Sequence, residues 1–354
     1  MSNTRPDRRT EPVALADCEE VQFLRNGRIG RLVLNRPVSL NALTTAMIVK
    51  IDAVLDEWQV DAGIALVVES SSTKAFCAGG DIRQIRQNTI DGAHLDSEQF
   101  FASEYQLNAR LAEFKPPLVS LIDGICMGGG LGLSVHGRFR VVTEKTVMAM
   151  PETAIGFFPD IGASYFLSRL PGALGTFLGL TGYRMDAADA LYTGLATHYV
   201  SDPLSVAPAL DERAEAPIDE VLRSLAPEGL LAPSRLAENR REIDWCFGAP
   251  TLAGIFSRLH QSQTPWARET VDGLTSVSPQ SLEVTLAVLT RGKQLGLPDC
   301  LTMELDVATH LARTHDFVEG VRAGLVDKDN SPHWRQSQFS GFDSVGKTVW
   351  KGLL

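Results

Sequence analysis

Gly128, Gly129 and Gly130, with Glu152 and Asp160 downstream, are the residues of this chain whose types and spacing have the clearest chemical use. Consecutive glycines let a main chain approach a ligand with no Cβ in the way, and the first N–H groups of a following helix are free to bind an anion. A carbonyl that becomes an oxyanion needs such donors. A lone glycine run is more often a packing turn, but Ala78-Gly79-Gly80-Asp81 is a second glycine turn behind a strand-like segment. Two such turns, each giving one N–H to the same carbonyl oxygen, would form an oxyanion hole. Neither fits a nucleotide loop, because there is no GxxxxGK[ST] and no GxGxxG with an acidic residue about 20 positions on.

The carboxylates each have an ordinary reading beside the chemical one. Glu152 follows Pro151, where a solvated turn or a cap is usual, and Asp160 would serve as N-cap of a helix starting near Ile161. Glu104 lies between apolar positions of an expected helix, where an exposed charge is the default. Cys77 and Cys126 sit beside the glycine turns and read as small packing residues. His136 has no partner at triad or ligand spacing and reads as structural.

The first half of the chain alternates strand-like and helix-like segments, which predicts an α/β core. Residues 29–34 and 64–69 read as strands, and Ile48, Ile51, Leu55 and Trp58 make a helical stripe between them. A helix is expected from about Gln99 to Phe114, stopped by Pro116-Pro117, and residues 118–122 then form a strand leading into the glycine run. Residues 139–143 are a further strand, and the sheet ends where the pattern turns helical beyond Asp160. Beyond Asp160 the pattern is helical, with Phe166 and Leu170 on one stripe and Leu174, Phe177 and Leu178 on the next. From about Asp202 the composition shifts to Ala, Leu, Glu and Arg with scattered prolines, a helical region. Ser278-Pro279 predicts an N-cap and first helical residue. Residues 316–319 resemble a capping box, and the stretch after Ser331-Pro332 reads as a loosely held tail. The chain divides into a disordered leader (1–18), a core (19–205) and a mainly helical C-terminal region (206–354). No internal repeat is visible.

With 354 residues, 44% hydrophobic and 21% charged, the chain can bury one large core or a core and a smaller lobe. A net charge of -10 disfavours nucleic acid and anionic membranes as partners. No apolar run reaches the roughly 18 residues of a membrane helix. The segment with Arg5, Arg8 and Arg9 has no apolar stretch behind it, so a secretory signal is not expected. Five scattered cysteines, without a CxxC pair or a His/Cys cluster, point to a reducing cytoplasm and no structural metal.

Longer motifs carry a resemblance. Asn35-Arg36-Pro37 with Leu40-Asn41-Ala42-Leu43, then Phe76-Cys77-Ala78-Gly79-Gly80-Asp81-Ile82, then Met127-Gly128-Gly129-Gly130 resemble the crotonase (enoyl-CoA hydratase/isomerase) superfamily. Three further stretches narrow the likeness to its branch of 3-hydroxyisobutyryl-CoA hydrolases. They are residues 127–137, residues 149–160 with Met150-Pro151-Glu152 and Phe158-Pro159-Asp160, and residues 316–332. The likeness covers residues 22–334. It implies a spiral of ββα units followed by helices that cover the acyl pocket.

By resemblance, Gly80 and Gly129 donate the oxyanion N–H groups. Val38, Ser39, Leu40, Ala78, Gly80, Asp81 and Ile82 line the CoA path. Glu104, Gly129, Glu152 and Asp160 contact substrate, with Glu152 and Asp160 also catalytic. Gly132 departs from the hydratases, which carry a second catalytic glutamate there, so hydration is disfavoured. The implied reaction is acyl transfer to water, with Glu152 either attacking the thioester or activating a water, and Asp160 assisting proton transfer or holding the substrate hydroxyl. The implied pathway is valine catabolism. No cofactor is expected beyond the CoA carried by the substrate, and a homo-oligomer is the family habit. An enoyl-CoA hydratase or isomerase, and a non-catalytic acyl-CoA-binding protein, are the alternatives.

Overall fold

The computed structural model describes residues 18–60, 63–227, 231–342 and 347–350; the leader expected over residues 1–18 lies, apart from Cys18, outside them. Val21–Asn26 (β1) and Ile29–Leu34 (β2) form an antiparallel hairpin turned at Gly27, whose φ of +55° suits a residue without Cβ. Thr45–Val60 (α1) then leads to Ala65–Ser70 (β3) and Ala75–Cys77 (β4), followed by Ile82–Ile90 (α2) and His94–Glu113 (α3). The same order recurs in Leu118–Ile122 (β5), Ile125–Met127 (β6) and Gly129–Ser134 (α4), and again in Phe139–Val142 (β7) and Val147–Ala149 (β8). Ala163–Phe166 (α5), Leu174–Thr181 (α6), Ala187–Thr193 (α7) and His198–Tyr199 (β9) complete the core.

The pairs β3/β4, β5/β6 and β7/β8 each give one strand to each of two sheets, and β1, β2 and β9 join the larger one. The larger has the order β1-β2-β3-β5-β7-β9, parallel from β2 onward, and the smaller is a parallel trio β4-β6-β8. Strands of the large sheet read as unbroken apolar runs because both faces are covered. In β3, Leu66 and Val68 enter the main core while Ala65 and Val67 enter a second cluster on the opposite face. Val206–Glu212 (α8) and Ile218–Ser224 (α9) supply Val206, Leu210, Val221 and Leu222 to that second cluster.

The remaining helices are Arg235–Glu238 (α10), Arg240–Phe247 (α11), Leu252–Ser262 (α12), Pro265–Ser276 (α13), Pro279–Gly292 (α14), Leu297–Leu311 (α15) and His315–Val321 (α16). The Ser278 cap is present, its Oγ accepting from Ser281 N at 3.3 Å with Pro279 at the first position.

Four expectations need correction. The sheet does not end where the helical pattern begins beyond Asp160, because β9 adds a sixth strand, too short to show a period. α3 starts at His94 rather than near Gln99, since its first turn is mostly polar and carries no apolar stripe. The cap of α16 is Thr314, accepting from Phe317 N, and Asp316 lies inside the helix, buried. The expected loose tail contains an antiparallel pair, Phe339–Phe342 (β10) with Thr348–Trp350 (β11), anchored by buried Phe339.

Candidate active site

Because β4 and β6 are parallel neighbours, the glycine turns that follow them leave the small sheet at the same edge. A Cβ on Gly129 would stand 3.3 Å from Gly80 N, and one on Gly79 would stand 3.5 Å from Gly129 N, so the two turns touch. Left-handed backbone at Gly79 (φ +105°) and Gly128 (φ +48°) turns the chain there. Three nearby N–H groups are used: Leu43 N donates to Gly79 O at 2.8 Å, Asp81 N to Leu43 O at 2.9 Å and Gly128 N to Ala149 O at 3.3 Å. Those of Gly80 and Gly129 donate to no partner among the described residues. Gly129 is the first residue of α4, where an N–H has no intrahelical acceptor.

Three carboxylates close on these turns from different elements. Glu104 comes from the middle of α3, Glu152 opens the 3-10 turn Glu152–Ile155, and Asp160 follows it. All three are buried, at 4%, 7% and 6% exposure, so none is the solvated charge that is the default for such residues. Glu152 Oε1 lies 2.8 Å from where a Cβ on Gly128 would be, and a Cβ on Gly129 would collide with Glu104 Oε1. Carboxylates thus occupy the side-chain space of Gly128 and Gly129, and at Gly130 the Cys77 carbonyl oxygen does so. Asp160 Oδ2 accepts a 2.7 Å bond from Tyr105 Oη, while its side chain caps no helix; α5 has Gly162 as N-cap. Glu104 Oε1 and Glu152 Oε2 are buried with no hydrogen-bond partner among the described residues. Such atoms are rare and costly unless a ligand or water satisfies them.

Burial and mutual repulsion set the protonation of this group. Glu104 is pushed well above the usual carboxylate range by desolvation and then by the charge of Asp160. Desolvation likewise raises Glu152 well above that range, followed by the charges of Asp160 and, more weakly, Glu104. Asp160 rises to about 7, driven by burial and held back by the Tyr105 hydrogen bond. One of these groups therefore holds a proton near neutral pH while another can accept one.

The segments expected along the CoA path are joined by backbone bonds. Ala78 N donates to Leu40 O at 3.0 Å, and the two bonds at Leu43 continue the seam past Gly80 to Asp81. Leu40 (φ 51°) and Asn41 (φ 56°) are both left-handed, held by Asn41 Nδ2 on Phe76 O at 2.9 Å and by Arg36 N on Asn41 Oδ1 at 2.8 Å. Val38 stands almost fully exposed, and Ser39 closes the short 3-10 turn Pro37–Ser39. Asp81 pairs with Arg36 at 2.8 Å, and Ile82 opens α2. A cavity of about 420 Å³ opens here, lined by Arg36, Leu43, Asp81, Gln84, Asn88 and Phe100.

Gly132 faces no empty slot. A Cβ there would meet Asn108 Oδ1 at 2.7 Å and Ile161 Cβ at 3.2 Å, so neighbours fill the direction a second glutamate would take. Cys77 and Cys126 are packed and unreactive, the first thiol pushed by burial up to about 12 and the second higher still. His136 is structural: its Nε2 lies 3.1 Å from Ile161 O, and burial pushes its pKa down to about 4. The C-terminal helices cover the site. Backbone of α16 meets the 3-10 turn at Gly156 and Gly320, where any Cβ would strike main chain, and Phe317 joins Phe101, Phe157 and Phe158 in an aromatic wall.

Two polar residues of this site escaped the sequence reading. Tyr105 follows Glu104 directly, and Glu304 accepts three bonds in the turn after Asp160. The available signal was a glutamate on an apolar helix face. On α15 the buried face runs Cys300, Glu304, Val307, Ala308 and Leu311.

Comparison with known proteins agrees with this geometry. Residues 29–346 match the family model described as Enoyl-CoA hydratase/isomerase. Human mitochondrial 3-hydroxyisobutyryl-CoA hydrolase is 43% identical over 326 residues, covering 90% of this chain and 84% of that protein. Probable 3-hydroxyisobutyryl-CoA hydrolase 3 of Arabidopsis thaliana is 39% identical, covering 90% and 88%. Among solved structures, an enoyl-CoA hydratase from Rhodobacter sphaeroides 2.4.1 superposes with a TM-score of 0.82 at 39% identity, covering 90% of this chain and 92% of its own. A carnitinyl-CoA dehydratase from Mycobacterium thermoresistibile gives 0.83 at 39%, with the same coverage. The strand order, the facing glycine turns and these matches together place the chain in one family: it belongs to the enoyl-CoA hydratase/isomerase family, and its fold is the crotonase spiral.

Proposed function

We propose that this protein hydrolyses the thioester of a short branched β-hydroxyacyl-CoA, 3-hydroxyisobutyryl-CoA being the substrate named for its curated relatives. The observation that carries this reading is the pair of unengaged N–H groups at Gly80 and Gly129 with the Glu152 carboxylate against the adjoining glycine. The thioester oxygen accepts from both N–H groups, each such donor being worth about 2.7–4 kcal/mol as charge develops on it. Glu152 then delivers an oxygen to the carbonyl carbon. It attacks directly, giving a mixed anhydride that water cleaves, or it takes a proton from a water that attacks. In both routes the C–S bond breaks, a C–O bond forms, and a proton from water ends on the CoA sulfur. Asp160, with Tyr105 on its Oδ2, conducts that proton or holds the substrate hydroxyl. Single-turnover hydrolysis in oxygen-18 water separates the routes, because only direct attack can leave label in Glu152.

Hydration of an enoyl thioester is the second reading. The names of the solved neighbours favour it, and so does Glu104, which brings a second carboxylate to the glycine turn. Gly132, with Asn108 and Ile161 filling the direction of a side chain, weighs against it. Free-thiol release from 3-hydroxyisobutyryl-CoA, measured beside hydration of crotonyl-CoA, decides: thiol release without hydration upholds the hydrolase, and hydration without thiol release rejects it. The proposal extends to a role in valine catabolism, a cytoplasmic location, self-assembly, and no cofactor beyond substrate CoA. The scattered cysteines support the location, and family resemblance supports the rest. The human relative is named mitochondrial, so cell fractionation tests the compartment, and sedimentation velocity tests assembly.

A further inference from the structure

Glu304 is a fully buried carboxylate from the C-terminal region that the proposed chemistry does not use. Its Oε2 accepts from Gly162 N at 2.6 Å, and its Oε1 accepts from Ser164 N at 2.8 Å and Ser164 Oγ at 2.5 Å. All three donors lie in one turn, entered through Asp160. That turn has an unfavourable backbone: Ile161 has φ +56° and Gly162 φ +86°. A β-branched residue in the left-handed region is an outlier that persists only where its surroundings over-determine it. Ala163 N on Asp160 O at 2.9 Å and His136 Nε2 near Ile161 O are the other ties. A carboxyl group whose three hydrogen-bond partners all donate to it, two of them main-chain, has little freedom to move, and these bonds hold back the rise to about 8 that burial, with the charge of Asp160, imposes on its pKa.

We propose that Glu304 is a positioning residue: by clamping the Gly162 to Ser164 turn it fixes the left-handed backbone at Ile161 and so aims Asp160 at Tyr105 and the substrate. Through it α15 becomes part of the active site rather than a cover over it. The claim about activity rests on the hydrolase reading of Asp160; the claim about the turn does not.

The test compares three variants. Glu304→Gln keeps the size but sets an amide donor against a main-chain N–H, Ser164→Ala keeps the charge and removes one donor, and Val307→Ala, on the buried face of α15, is a destabilising control. With folded fraction measured by circular dichroism, Glu304→Gln lowers kcat for thiol release by about 10²-fold while KM stays within about threefold, as expected for a reacting group displaced by about 1 Å. Ser164→Ala loses less in the same parameter, and Val307→Ala keeps wild-type kcat per folded enzyme. Crystal structures of Glu304→Gln and Ser164→Ala show the turn and Asp160 displaced. Wild-type kcat in folded Glu304→Gln, or an unmoved turn, overturns the proposal. If Glu304→Gln does not fold, Ser164→Ala decides alone, and unchanged kcat with an unmoved turn overturns the clamp. A wild-type enzyme without thiol release refutes the hydrolase reading, and the crystal structures still decide the clamp.

Discussion

In the proposed mechanism Glu152 works only as a carboxylate, yet burial and the charges of Asp160 and Glu104 hold its proton on. The acid limb of kcat against pH therefore falls well above the ordinary carboxylate range. Asp160→Asn removes the largest like charge acting on Glu152, so the limb moves to lower pH even as the maximal rate drops; a limb that stays in place would separate the two groups. The loss in rate is expected to be about 10²–10⁴-fold if Asp160 carries the proton. The glycine turns were legible in the sequence, because two of them follow strand-like segments. The carboxylates were not legible from setting alone: Glu104 between apolar helix positions reads as an exposed charge and only the family resemblance singles it out, while Glu304 was missed, although both interrupt an apolar helix face and are buried. Tyr105 gave no signal, since a buried tyrosine beside a glutamate is ordinary until Asp160 is found 2.7 Å from its hydroxyl.

Elements long enough to show a period were readable, and the short ones were not. α1 carries its stripe through Ile48, Ile51, Leu55 and Trp58, all buried. β9 has two residues and β4, β6 and β8 three each, too few to alternate, yet β4 and β6 are the strands that launch both glycine turns. The Ser278 cap shows how the C-terminal helices are locked. Its Oγ takes the Ser281 N–H and donates at 2.6 Å to Asp316 Oδ2 on α16. Ser278→Ala loses the cap and leaves a buried carboxylate oxygen short of a partner, a destabilisation of about 2–4 kcal/mol from the two effects together. Urea unfolding measures it, and a change below about 0.5 kcal/mol would show that the cap is not structural.

At the scale of the whole molecule, the acidic cluster trades stability for chemistry. A carboxyl whose folded pKa is raised keeps its proton longer in the folded chain than in the unfolded one. Stability is then full below the unfolded pKa and falls as pH rises toward the folded value. Glu104 is such a group, so Glu104→Gln raises the free energy of unfolding at pH 8 more than at pH 4.5, by about 1.4 kcal/mol for each pKa unit relieved, while lowering activity. Equal gains at both pH values would contradict the assigned protonation. The spiral itself brings together residues as distant in sequence as Gly80, Glu104, Gly129, Glu152 and Asp160, and resemblance rather than periodicity announced that convergence. The most direct test of the account is Glu152→Gln, assayed for free-thiol release from 3-hydroxyisobutyryl-CoA beside binding of the same ester by calorimetry. The account predicts that thiol release falls by about 10³-fold or more while the dissociation constant stays within about threefold. Turnover at the wild-type rate in the folded variant would contradict it.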